Sequence, residues 1–202
     1  MSCDSFSTNQ TYFQFDWPAG LTGLERITLT AKGELQRILS AYFCSPISIQ
    51  RIWETPASGP VASASPETAI TQTRRVNLMC EGHVVCVCIS AIKITNREAA
   101  RLFLEEKFGI GQMFRRLGKP PAFQLISVGV DPSPVDKSQE ILWRTYKLWT
   151  EGFECEIKEV FPDRDMFASP QSAERWIRRP VKKNGDIAQA ETPQTATMML
   201  VY

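Results

Sequence analysis

Apolar residues recur along this chain with two periods, and those periods divide it into helices and strands. In residues 33–43, Leu35, Ile38, Leu39, Tyr42 and Phe43 fall at i, i+3, i+4, i+7 and i+8, the stripe of an amphipathic helix, and Ser45-Pro46 ends it. Alternation by two then takes over. It predicts a strand over 47–54, a pair over 73–94 turned at Glu81-Gly82-His83, strands over 122–129 and 140–149, and a last strand after a tight turn at Glu151-Gly152. Thr95-Asn96-Arg97-Glu98 has the form of a capping box and predicts a helix running on to Phe108. Gly109-Ile110-Gly111 breaks that helix, and a second short one over 112–117 closes at Gly118 before Pro120-Pro121. Strands outnumber helices and short turns join several of them. The expected architecture is α+β, an antiparallel β-sheet with helices gathered on one face.

The remaining segments carry no clear period. Residues 1–20, polar with scattered Tyr12, Phe13, Phe15 and Trp17, read as an irregular strap across the core. Residues 55–72, rich in Pro, Ser, Ala and Thr, read as a flexible surface loop. Beyond Asp165 the composition turns polar. The domain is therefore expected to span 1–168, followed by a mostly disordered tail over 169–202 with a short helix around 173–177. The tail's basic cluster (Arg175, Arg178, Arg179, Lys182, Lys183) is compatible with a solvated surface, a localisation signal or an anion contact.

Composition narrows the function classes. A chain of 202 residues with 43% hydrophobic content builds one substantial core. Lys+Arg 23 against Asp+Glu 22 gives a formal charge of +1, so no broad basic surface for nucleic acid is expected. The helix-turn-helix over 95–117 is not read as a DNA reader either, because its second helix is short and apolar. The longest apolar run, 84–92, is about half of what a membrane span needs, and the polar N-terminus does not resemble a secretion signal. A soluble cytoplasmic protein, monomeric or weakly dimeric, is the expectation. The six cysteines then read as buried thiols rather than disulfides, and with one histidine and no Cys-x-x-Cys pair no metal site is expected.

Candidate chemistry emerges from charges that break the alternation. Phe153, Cys155, Ile157, Glu159 and Phe161 share one face of the last strand, which puts a carboxylate among hydrophobes. Arg74 shares a face with Val76 and Leu78 in the same way, and it is the partner this reading offers Glu159. A register shifted by one would turn Arg75 inward instead; Arg74 is favoured because Val76 and Leu78 then stay inside. The pair reads either as a structural buried ion pair or as the floor of a polar pocket. Neither a P-loop nor a dinucleotide fingerprint surrounds Gly109-Ile110-Gly111, and His83, the single histidine, sits in a turn. As a pocket, the set suits a small organic acid: Arg74 takes a carboxylate bidentately and Glu159 acts as proton donor or hydrogen-bond partner, with no cofactor.

Four blocks in this order resemble the chorismate lyase family: GELQRIL at 33–39, the Arg74 strand with its hairpin and CISAIKI, FGIGQMF at 108–114, and WRTYKLWTEGFECEIKEVF at 143–161. The resemblance implies an antiparallel sheet with helical flaps over a buried site, and cleavage of chorismate to 4-hydroxybenzoate and pyruvate without a cofactor. It implies Arg74 as the arginine gripping a substrate carboxylate and Glu159 as the acid meeting the ring hydroxyl. It further implies substrate contacts from backbone N–H groups at Leu35 and Ile110, with Gly111 beside them. The chain departs from the family pattern at Ile89 and at the Gly152-Phe153-Glu154 turn. A cyclase or isomerase in small-molecule biosynthesis on the same pocket is the alternative, and a non-catalytic small-ligand-binding module is a third reading.

Overall fold

The computed structural model describes residues 3–6, 9–169 and 171–181. Eight strands are present among them: β1 (Cys3–Phe6), β2 (Thr11–Gln14), β3 (Ser48–Glu54), β4 (Ile70–Cys80), β5 (His83–Ile94), β6 (Ala122–Pro132), β7 (Glu140–Thr150) and β8 (Phe153–Phe161). The last six form one open antiparallel sheet in the order β3-β4-β5-β8-β7-β6, while β1 and β2 pair as a separate hairpin. The β4–β5 turn is two residues with positive φ, 47° at Glu81 and 83° at Gly82, the geometry that matches strand twist. At the β7–β8 turn Gly152 has φ +84°, and a Cβ there would lie 2.3 Å from Cβ of Asn96, so this turn has room only for glycine.

Helices α1 (Gly23–Leu29), α2 (Leu35–Phe43), α3 (Arg97–Ala100) and α4 (Ile110–Leu117) cover one face of the sheet, and α5 (Ser172–Ile177) closes its end. Residues Arg101–Glu105 continue α3 as a π-helical stretch. Under α1 and α2 lies one apolar cluster with Leu29, Leu39, Val76, Leu142 and Phe161. Under α3 and α4 lies a second, with Ile94, Phe103, Met113, Leu148 and Phe153. The α+β architecture with helices on one face is thus observed.

Several segments differ from the expectations. The N-terminal strap contains the β1–β2 hairpin and the seven-residue α1, which opens on a true capping box: Thr22 Oγ1 accepts from Glu25 N–H and Glu25 Oε2 accepts from Thr22 N–H. The cap of α3 is Asn96 rather than Thr95, its Oδ1 accepting from Ala99 N–H at 3.1 Å. Residues 55–72 are pinned rather than free: β4 begins at Ile70, Thr55 N–H donates to Thr73 O, and Thr71 N–H donates to Ser58 Oγ. Part of the expected tail belongs to the core. Trp176 is buried against Phe43 and His83, and its indole N–H donates to Asp163 at 2.8 Å, which outweighs the polar composition around it. The rest of the tail, including Lys182 and Lys183, lies outside the described residues. Cys44, expected inside, is exposed at the left-handed C-cap of α2. Among the described residues, no helix is long and apolar enough to cross a membrane, and no cluster of three metal-ligating side chains is found.

Candidate functional site

A polar seam runs across the helix-covered face between the two apolar clusters. Its register is set by strand pairing: Val76, Cys88, Glu159 and Arg144 form one cross-strand row, and Arg74, Ser90, Ile157 and Tyr146 the next. Arg74 and Glu159 therefore face the same way, as alternation requires, and Arg75 faces the opposite side.

The partner of Glu159 is not Arg74. It is Arg144, directly opposite on β7, whose Nε donates to Glu159 Oε2 at 2.7 Å; Tyr146 donates its hydroxyl to Oε1 at 2.8 Å. Arg144 also donates through Nη1 to the carbonyls of Leu29 and Ala31, at 2.8 and 2.9 Å, so it ties the end of α1 to the sheet. Burial works against the charge on Arg144, but Glu159 and Tyr146 more than offset it and hold its pKa above the usual arginine range. Burial, reinforced by the Glu159 carboxylate, pushes the Tyr146 hydroxyl well up, so it remains a donor.

Arg74 stands two strands away, roughly 12 Å from Glu159 by sheet spacing. Its guanidinium lies 4.5 Å from the centre of the Phe103 ring, its Nε is buried without a hydrogen-bond partner, and no carboxylate lies within ion-pair distance among the described residues. Burial lowers its pKa below the usual arginine value, with Cys155 partly opposing that. Arg144 Nη2 is a second buried guanidinium nitrogen without a partner on this face. Between Arg74 and Glu159, β5 presents only Cys88 and Ser90. Unpaired buried guanidinium N–H groups separated by small side chains suit a ligand that brings its own negative charge.

The other expected contacts come from the helices. Leu35 and Ile110, both buried, open α2 and α4, and neither helix has a side-chain hydrogen bond at its N-cap (Glu34 and Gly109), so first-turn N–H groups stay available. The two helix starts meet: a Cβ on Gly111 would lie 3.2 Å from Gly33 O. A cavity of about 290 Å³ lies there, lined by Gly33, Glu34, Gly111 and Phe114 among others. Arg74 and Glu159 do not line it, so the helix starts and the seam are adjacent features rather than one open pocket.

Arg144 and Tyr146 were not singled out from sequence. The signal was present, since Leu142, Arg144, Tyr146 and Leu148 alternate onto the inner face. No family model matches the chain, and no curated protein matches it.

Proposed function

We propose that the polar seam binds an enolpyruvyl carboxylic acid such as chorismate, and that the chain is a cofactor-independent carbon–oxygen lyase of chorismate lyase-like fold, releasing pyruvate and a hydroxybenzoate. The observation that carries this reading is Arg74, a guanidinium with a buried Nε that has no hydrogen-bond partner and no ion pair among the described residues, its cross-strand neighbour Glu54 being paired with Lys107 instead. In the reaction the ring carbon–oxygen bond breaks, the neighbouring ring carbon gives up its hydrogen, and the released enol takes up a proton to become pyruvate. Aromatisation drives it. The protein has only to hold the reactive conformer and stabilise charge on the departing oxygen. In this reading Arg74 takes a carboxylate and Glu159 meets the ring hydroxyl, while the N–H donors at the helix starts of Leu35 and Ile110, with Gly111, lie beside the seam rather than in it. The sheet spacing of about 12 Å between Arg74 and Glu159 rules out a direct ion pair between them.

A second reading, a cyclase or isomerase acting on a related acid, is favoured by the occupancy of Glu159. Both its oxygens already accept hydrogen bonds, from Arg144 and Tyr146. A unimolecular rearrangement needs orientation and no proton transfer from this group. Incubation with chorismate, with 4-hydroxybenzoate and pyruvate followed by chromatography, separates the two. Equal amounts of both products support the lyase; an isomer of unchanged mass supports the rearrangement.

A further inference from the structure

A cavity of about 320 Å³ lies on the sheet face away from the seam. That volume is in the range of small-molecule sites. Its floor is the outward side of the same strands: Val87, Val160 and Trp143 follow one another in register across β5, β8 and β7. The register shift between Leu78 and Met79 places an extra residue in β5, which is why Val84 and Val87, three apart, both line the cavity. The Trp143 indole is a fixed platform. A Cβ on Gly129, its partner on β6, would lie 2.4 Å from ring atom Cζ2, and its Nε1 donates to Asp131 at 2.7 Å. Val135 and Val181, 55% and 53% exposed, stand at the walls as apolar surface that a ligand would cover.

The charged groups around this slot are satisfied within the protein. Arg75 and Lys158, in the row of Ile89 at one end, both already have partners. Asp163 accepts from Trp176 Nε1 at 2.8 Å and from Arg179 Nη1 at 3.2 Å, and Asp131 is held by Trp143. His83 stands at the other end, on the far side of Val87 from that row. It is 8% exposed, and its ring centre lies 5.0 Å from that of Trp176. Neither of its ring nitrogens has a hydrogen-bond partner among the described residues. An imidazole nitrogen shut away from bulk water in this way calls for a partner that donates or accepts a hydrogen bond. Four residues of β5, roughly 13 Å, separate His83 from the row of Val87, Val160 and Trp143, so a ligand that touches both is longer than one ring.

We infer that this outer cavity is a small-molecule site for a neutral, hydroxylated aromatic of about two fused rings, its rings lying on Val87, Val160 and Trp143 and its hydroxyl meeting His83. Charges that are already engaged give an ionic ligand no counterpart, whereas His83 gives a hydroxyl one. The inference stands independently of the seam's reading, since every residue it uses belongs to the opposite face.

Calorimetric titration of the full chain with 2-naphthol, and with naphthalene, which lacks the hydroxyl, tests it on the unsubstituted, His83→Phe and Val160→Trp proteins. His83→Phe keeps a ring against Trp176 and removes both nitrogens. The expected result is that 2-naphthol binds the unsubstituted protein, binds His83→Phe about tenfold more weakly, and does not bind Val160→Trp, in which the slot is filled. Naphthalene is expected to bind the unsubstituted and His83→Phe proteins alike, about as weakly as 2-naphthol binds His83→Phe, so that losing the hydroxyl and losing the imidazole do not add. If the Val160→Trp protein does not fold, the His83→Phe and naphthalene comparisons decide alone. No binding of 2-naphthol to the unsubstituted protein, equal binding of it by His83→Phe, or undiminished binding by a folded Val160→Trp protein overturns the inference, whatever becomes of the lyase assay.

Discussion

Arg144 and Glu159 face one another across β7 and β8 with 2.7 Å between Nε and Oε2, at 0% and 4% exposure, in the polar seam between two apolar clusters. Burying such a pair stabilises little by itself, because desolvation offsets the attraction, but removing one member leaves the other charged and alone. Arg144→Met is therefore expected to destabilise by about 3–5 kcal/mol, since it also strands the Leu29 and Ala31 carbonyls. Replacing both residues, Arg144→Met with Glu159→Leu, should recover part of that loss. Chemical denaturation of the two single variants and the double variant measures it, and strictly additive losses would show that the pair does not act as a unit.

Glu25 gives the fold an acid-sensitive clamp. It is 1% exposed, caps α1 with Thr22, and accepts from Arg164 through both oxygens, the Nη2 bond being 3.1 Å. Burial raises its pKa, but the Arg164 and Thr22 bonds outweigh that and leave it lowered. A lowered folded pKa means stability present above the unfolded carboxylate value of about 4.3 and lost as pH falls through the folded value. Glu25→Gln should cost about 1–3 kcal/mol at pH 7. Denaturation from pH 7 to pH 3 should show that difference shrinking only below about pH 4.5; a constant difference would refute the assignment.

The polar seam was half legible in the sequence. Alternation alone places Arg74 and Glu159 on the inner face and Arg75 on the outer. It does not identify the partner of Glu159, because β7 carries large apolar residues on both faces, Leu142 and Leu148 inside and Trp143 and Trp149 outside, which hides the inward Arg144. Helix α1 was missed because seven residues are too few for a periodic stripe, leaving only Thr22 and Glu25 as its signal. Trp176 shows the limit of composition: one indole with a buried hydrogen bond to Asp163 anchors a segment whose average is polar.

Thiol reactivity should divide sharply. Burial pushes the Cys80 thiol up to about 11, with Glu81 adding to it, and the Cys155 thiol up to about 12 despite the pull of Arg74. Burial and the neighbouring Cys88 also hold Cys86 well above its usual value. Cys44 is exposed. In a native thiol titration at pH 8, Cys44→Ser should remove one fast-reacting group, while Cys80, Cys86, Cys88 and Cys155 should react only on unfolding. Fast labelling of Cys155 in the folded protein would contradict the packing around Arg74.

If Arg74 holds the carboxylate of a chorismate-like acid, as proposed above, turnover of chorismate by the unsubstituted, Arg74→Gln and Arg74→Lys proteins is the deciding measurement. Pyruvate and 4-hydroxybenzoate are expected in equal amounts from the unsubstituted protein. A loss of about a hundredfold in kcat/KM is expected for Arg74→Gln, and partial recovery in Arg74→Lys, which restores the charge without the bidentate fork. Pyruvate release that is unchanged in Arg74→Gln, or no product from a folded unsubstituted protein, would contradict it.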